Sequence, residues 1–226
     1  MSASERVIIV NFKTYLESSG AKAVALARIC ESVADETGVT IVVAPPMPDL
    51  ASVIAAVTIP VFSQHADDLK PGSTTGHVAL ENILASGAKG TLLNHSERRL
   101  RISEISSLVG KAKRNGLSTV VCTNDLPVTR ACAGLEPDFV AIEPPELIGG
   151  DMSVTTANPE IVSESVRVAK KAFPGVKVLC GAGVKTGEDA AKAIELGTNG
   201  VLLASGVVKA SDPKRVLLDL SAGVQR

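Results

Sequence analysis

Short apolar runs rich in valine and isoleucine alternate with longer amphipathic stretches from one end of this chain to the other. The runs are continuous and do not alternate apolar with polar positions, the pattern of parallel strands covered on both faces. They predict strands over 7–10, 39–43, 60–63, 91–93, 119–122, 139–142, 177–179 and 201–203. The stretches between predict helices over 21–36, 48–56, 78–85, 103–114, 126–133, 158–172, 187–195 and 212–220. Gly38, Gly87, Gly116 and Gly197 fall where helices should stop, as C-terminal glycine caps do. Thr186 and Asp212 stand at N-cap positions, with Pro213 in the first turn after Asp212.

Eight βα units follow one another without a linker or a compositional break. They predict an α/β protein built as one (β/α)8 barrel domain over residues 1–226. An open, doubly wound sheet is the competing architecture. The two differ in one respect that the sequence itself can test: a barrel gathers its chemistry at the C-terminal tips of several different strands.

Composition narrows the function. The chain has 226 residues, 45% apolar and 21% charged, enough for a sizeable core and within the size of a single α/β barrel. Its net charge of −1 and the lack of a Lys/Arg-rich block argue against a nucleic-acid or anionic-membrane surface. Tryptophan is absent and aromatics are 2%, so no base-stacking platform is expected. The first apolar run is too short for a signal-peptide core, and none spans a bilayer. The expected setting is cytoplasmic. Cys30, Cys122, Cys132 and Cys180 include no C-x-x-C pair, which points to reduced thiols and away from zinc.

The strand tips hold the candidate chemistry. The run 140–142 ends on Glu143, followed by Pro144-Pro145-Glu146-Leu147-Ile148-Gly149-Gly150. A carboxylate at the tip of a buried strand is made more basic by desolvation. A loop with a stiff entrance and a permissive exit suits a lid that moves as a unit. After the first strand, Asn11-Phe12-Lys13 puts an amide and an ammonium at the mouth, aimed the same way by alternation. After the fourth comes Asn94-His95-Ser96-Glu97-Arg98-Arg99. If His95 begins a short helical turn, the positive helix end keeps its ring neutral and able to donate to a carbonyl. After the seventh and eighth strands come Gly181-Ala182-Gly183-Val184 and Ala204-Ser205-Gly206, small residues whose amides can close around an anion at the usual barrel phosphate site. Asp67-Asp68 has no histidine partner at ligand spacing, so no metal is expected. A base, a neutral electrophile, a cation, an anion cradle and a lid suit proton transfer next to the carbonyl of a phosphorylated metabolite.

In order and spacing, Asn11-Phe12-Lys13, Asn94-His95-Ser96-Glu97-Arg98-Arg99 and Glu143-Pro144 with the loop after them resemble the triosephosphate isomerases, in their shorter, archaeal-type branch. The resemblance implies interconversion of dihydroxyacetone phosphate and D-glyceraldehyde 3-phosphate in glycolysis and gluconeogenesis, without cofactor or metal. Glu143 would be the base, His95 would polarise the carbonyl, Lys13 would stabilise the enediolate and the phosphate, and Asn11 would place a substrate oxygen. Glu97 would support the lysine. Ile148 and Gly149 of the lid, Gly183, Ala204 and Ser205 would hold the phosphate. The neutral histidine and the water-excluding loop are established features of that family. A homo-oligomer, dimer or tetramer, is also implied.

Three departures stand out. Pro144-Pro145-Glu146 replaces a Val-Trp at the lid entrance, Cys180-Gly181-Ala182-Gly183 replaces Tyr-Gly-Gly-Ser, and His77 stands where the family has an acid. Two rival readings are another phosphate-binding barrel isomerase or epimerase acting on a sugar phosphate, and a non-catalytic barrel that binds phosphometabolites.

Overall fold

A computed structural model gives the structure of residues 6–144 and 154–226. The apolar runs form parallel strands β1 (Val7–Asn11), β2 (Thr40–Ala44), β3 (Phe62–Ser63), β4 (Gly90–Leu93), β5 (Ser118–Thr123), β6 (Phe139–Ile142), β7 (Lys177–Cys180) and β8 (Gly200–Leu203). Between them lie α1 (Ala21–Thr37), α2 (Leu50–Ala56), α3 (Leu80–Ala85), α4 (Ile102–Arg114), α5 (Leu126–Ala133), α6 (Val154–Ala157), α7 (Pro159–Ala172), α8 (Gly187–Glu195), α9 (Ser205–Val208) and α10 (Pro213–Val224). The strands run β2-β1-β8-β7-β6-β5-β4-β3. A parallel bridge between Val43 and Val61 joins the two ends of that order. This is the (β/α)8 barrel, not the open sheet.

Alternation along each strand divides the core in two. Val7, Ile9, Leu92, Ala141, Leu179 and Leu202 fill the barrel interior. Ile8, Val10, Ile41, Leu93 and Val121 point the other way and pack with the helices. β8 approaches β1 so closely that a Cβ on Gly200 would lie 1.9 Å from the Val7 carbonyl oxygen. Ring closure there requires the missing side chain.

The caps behave as the sequence predicts. Gly38, Gly87, Gly116 and Gly197 all have positive φ after a helix. Thr186 makes a capping box with Asp189, and the Asp212 carboxylate accepts the Arg215 amide. Asn158, expected inside a helix, is instead the N-cap of α7 and accepts the Ile161 amide. The helix expected from 78 begins at Leu80, because the Val78 amide is held at 2.7 Å by Asp67 Oδ2 and keeps the chain extended. The stretch 48–56 opens as a 3-10 turn, Met47–Asp49, before α2. β3 is shorter than expected because Pro60 has no amide to give a ladder. Another 3-10 turn, Leu16–Ser18, and helices α6 and α9 had no counterpart in the sequence pattern.

All four cysteines are buried and unpaired with one another. Among the described residues no helix is long and apolar enough to cross a membrane.

Candidate active site

Five strand tips, those of β1, β4, β6, β7 and β8, converge on one cleft. At the end of β1 the chain turns so that Lys13 takes a φ of 48°. Asn11 makes this possible by accepting the Lys13 amide on Oδ1 at 2.9 Å. Gln64 Nε2 fixes the other side, donating to the Lys13 and Ala44 carbonyls at 2.9 Å each. The left-handed turn, not strand alternation, therefore aims the lysine. Lys13 Nζ meets Glu97 Oε1 at 2.8 Å.

The tip of β4 is held by Asn94, itself at a φ of 58°. Its side chain donates to the Cys122 carbonyl and accepts the Leu100 amide, both at 2.9 Å. His95 follows, only 8% exposed. The residues after it form a turn closed by the Arg98 amide on the His95 carbonyl, and α4 begins seven residues later at Ile102. The helix end expected beside His95 is therefore absent. The ring is kept neutral by other means. Burial first, with Lys13 and Arg99 adding to it and Glu97 opposing, presses the imidazole down to about 4. The Glu97 amide donates to Nδ1 at 3.2 Å, so Nδ1 is the acceptor and the ring proton is assigned to Nε2.

That Nε2 faces Glu143 Oε1 at 3.6 Å. Glu143 caps β6 through its amide, which donates to the Thr123 carbonyl at 2.8 Å. The residue is 4% exposed, and Oε2 has no hydrogen-bond partner among the described residues. Desolvation pushes the carboxyl up to about 7 against the Cys122 thiol, Lys13 and Arg99, which pull it down. Gly181 forms the wall behind it: a Cβ there would sit 2.6 Å from Glu143 Cγ. Gly181, part of the expected anion loop, lines the same cleft and also leaves room for the carboxylate.

Asn11, Lys13, His95, Glu143, Gly183, Ala204 and Ser205 line this single cleft. Glu97 stands at its edge, on Lys13. Ile148, Gly149 and the rest of the expected lid lie outside the described residues. Tyr15 and Lys185 also line the cleft; with Gln64 they escaped the sequence reading. A polar residue at a β3 tip was the one available hint for Gln64, and the others carry no local signal.

Asp67 corrects another expectation. His65 Nε2 meets it at 2.9 Å, Arg98 Nη2 at 3.0 Å and His77 Nδ1 at 3.4 Å, so two histidines do converge on this carboxylate. Burial tends to raise it, but the Val78 amide, His65 and Arg98 outweigh that and hold it at about 2. It latches the loop 68–77 to the barrel by hydrogen bonds and charge.

The carboxylate, held near neutrality, is poised to exchange a proton at physiological pH, and the facing imidazole can donate a hydrogen bond without carrying charge. The fold and this rim define the class: a (β/α)8 barrel that sets a shielded carboxylate against a neutral imidazole, with an ammonium beside them. Comparison with known proteins gives the family. The chain belongs to the triosephosphate isomerase family, whose model matches residues 6–221. It is 54% identical over 213 residues to the triosephosphate isomerase of Methanosarcina acetivorans, covering 94% of this chain and 96% of that one. It is 49% identical over 214 residues to the triosephosphate isomerase of Methanocaldococcus jannaschii, covering 95% and 98%. These relatives do not favour another barrel isomerase or epimerase.

Proposed function

We propose that this chain interconverts dihydroxyacetone phosphate and D-glyceraldehyde 3-phosphate by proton transfer through an enediolate. The observation that carries the reading is the juxtaposition of Glu143 and His95 Nε2 at 3.6 Å, both buried, in one cleft with Lys13. Glu143 removes the proton from the carbon next to the carbonyl and returns it to the neighbouring carbon. His95 donates from Nε2 to the carbonyl oxygen and moves protons between the two oxygens. A neutral donor suits this work, because its pKa is closer to that of the enediol it serves than an imidazolium's would be. Lys13 offsets the charge growing on the oxygens, and more strongly so where water is excluded. Asn11 contributes by holding the Lys13 backbone and by lining the cleft. Glu97 orients the lysine, and Gly183, Ala204 and Ser205 receive the phosphate. Ile148 and Gly149 are the further phosphate contacts of this reading.

The reading includes a cytoplasmic setting and a homo-oligomer, dimer or tetramer. The oligomer is supported by Leu16, 80% exposed, one residue beyond Tyr15 of the cleft.

The test is turnover of either triose phosphate in the presence of a chelator, with solvent deuterium followed into the recovered substrate and product. We expect turnover that the chelator does not change, and deuterium on the carbon next to the carbonyl. Inactivity on both trioses, with turnover of a bulkier sugar phosphate, would overturn it.

A further inference from the structure

Charge at the phosphate end of the cleft is the starting point. A phosphomonoester carries roughly −1.5 to −2 at neutral pH. Lys13 is already matched by Glu97 at 2.8 Å, His95 is neutral, and Glu143 adds negative charge whenever it ionises. Helix α9 has four residues and contributes little dipole. The amides after β7 and β8 can receive a dianion here, and a second cation beside them would strengthen that hold.

Lys185 stands at this end of the cleft. It lines the cleft with Lys13, Gly183, Ala204, Ser205 and Gly206. Its backbone is fixed by the start of α8: the Lys185 amide donates to Asp189 Oδ2 at 3.0 Å, the carboxylate oxygen that also accepts the Thr186 amide at 3.0 Å. Its stem lies across the first turn of α9, where a Cβ on Gly206 would come within 3.4 Å of both Lys185 Cα and Cγ. The loop after β7 and the turn after β8 are thus packed together at the residue that carries the ammonium. Lys185 need not be unpartnered to act: Lys13 keeps Glu97 and still faces the same space.

We propose that Lys185 is a second phosphate-binding cation, a residue that selects a dianionic phosphoester over its uncharged analogue. This rests on the assignment of the β7–β8 end to the substrate's phosphate, and it concerns a side chain outside the proton-transfer set. The experiment compares Lys185→Met and Lys185→Arg with the unaltered full chain. Binding of inorganic phosphate is measured by titration, and kcat and KM are measured with D-glyceraldehyde 3-phosphate and with phosphate-free D-glyceraldehyde. Loss of one charge-assisted contact should weaken inorganic phosphate by about tenfold in Lys185→Met. KM for the phosphorylated triose should rise by a similar factor, kcat should change much less, and Lys185→Arg should recover most of the loss. The drop in kcat/KM should be at least about fivefold larger with the phosphorylated triose than without the phosphate.

Phosphate binding that stays within about twofold of the unaltered chain in Lys185→Met would overturn the proposal. So would an equal loss on both aldehydes, which would make the lysine structural. Phosphate titration needs no turnover. A chain that binds phosphate through Lys185 yet isomerises no triose would therefore remove the proposed activity and leave the binding role standing.

Discussion

At the N-terminal end of the strands, Asp138 Oδ2 accepts the Thr119 amide at 2.9 Å and its hydroxyl at 3.3 Å. Asn199 Oδ1 there accepts the Val178 amide at 3.0 Å. Charges at that end, such as Lys113 with Glu136, are exposed ion pairs. The C-terminal tips of the same strands carry buried polar groups in their place: Asn11, Asn94, His95 and Glu143 are each at most 8% exposed. Two of the residues there, Lys13 and Asn94, are forced to positive φ. Among the described residues Glu143 Oε2 is the buried ionisable atom left without a hydrogen bond. One end spends its polar groups on joining strands; the other keeps a carboxylate dry at a cost in stability. A fold can carry that cost at one rim because the opposite rim and the two apolar layers hold the ring together.

Glu143→Gln should separate the two ends most sharply. Loss of the proposed base should lower kcat by about a thousandfold, while inorganic phosphate still binds. Stability should move the other way. The folded carboxyl, at about 7, holds its proton more tightly than the unfolded one, so ionisation weakens the fold as pH rises from about 4.5 to 7. Removing the charge should therefore stabilise the protein at pH 8 by on the order of 3 kcal/mol, with the gain shrinking toward pH 4.5. Denaturant unfolding at the two pH values reads this directly, and a pH-independent difference would mean the carboxylate is not desolvated. In the unaltered enzyme kcat/KM should rise with pH on an acid limb near 7, set by Glu143. His95, at about 4, is already neutral there.

How much of this the sequence shows depends on distance along the chain. The strand 139–142 and the helices 126–133 and 187–195 match the structure residue for residue. Their apolar pattern is bounded by local signals such as Asp125, Thr186 and Gly197. Leu16–Ser18, α6 and α9 span three or four residues, less than or barely more than one turn, and so show no periodicity. Glu143 and Lys13 were legible as polar residues ending apolar runs. Their settings were not. Gln64 reaches Lys13 across 51 residues, and Lys13 reaches Glu97 across 84. The neutrality of His95 was expected for another cause: burial, with Lys13 and Arg99 beside it, does what a helix end was expected to do. Of the altered entrance expected at Pro144-Pro145-Glu146, only Pro144 lies within the described residues.

Gly181→Ala should give the next largest effect, and it acts on the dry end alone. The added Cβ would come 2.6 Å from Glu143 Cγ and 3.2 Å from the Ile142 carbonyl, and the strand carbonyl cannot yield as a side chain can. Glu143 must move toward the cleft and its water. We expect kcat to fall by about tenfold to a hundredfold, on the scale of a 1 Å misplacement, with about 1–3 kcal/mol of overpacking cost. The acid limb of kcat/KM should shift downward, because a rehydrated carboxyl loses the burial that raised it. An acid limb that stays near 7 while kcat falls would show that the methyl perturbs something other than the carboxylate.

Asp138→Ala probes the opposite rim and should have the smallest effect. It removes the acceptor that Thr119 uses at the start of β5 and leaves the strand ladder itself in place. Asp138 is exposed, so water can replace part of what is lost, and the cost should be about 1 kcal/mol. Asp138→Asn keeps an acceptor oxygen and should recover most of it. In both variants kcat/KM and its pH dependence should stay within about twofold of the unaltered enzyme, because no cleft residue bonds to Asp138 or Thr119 among the described residues. Denaturant midpoints and steady-state rates on the same samples make the comparison. If this exposed carboxylate changed the acid limb, the two rims would be coupled through the barrel interior, and the division of labour between them would fail.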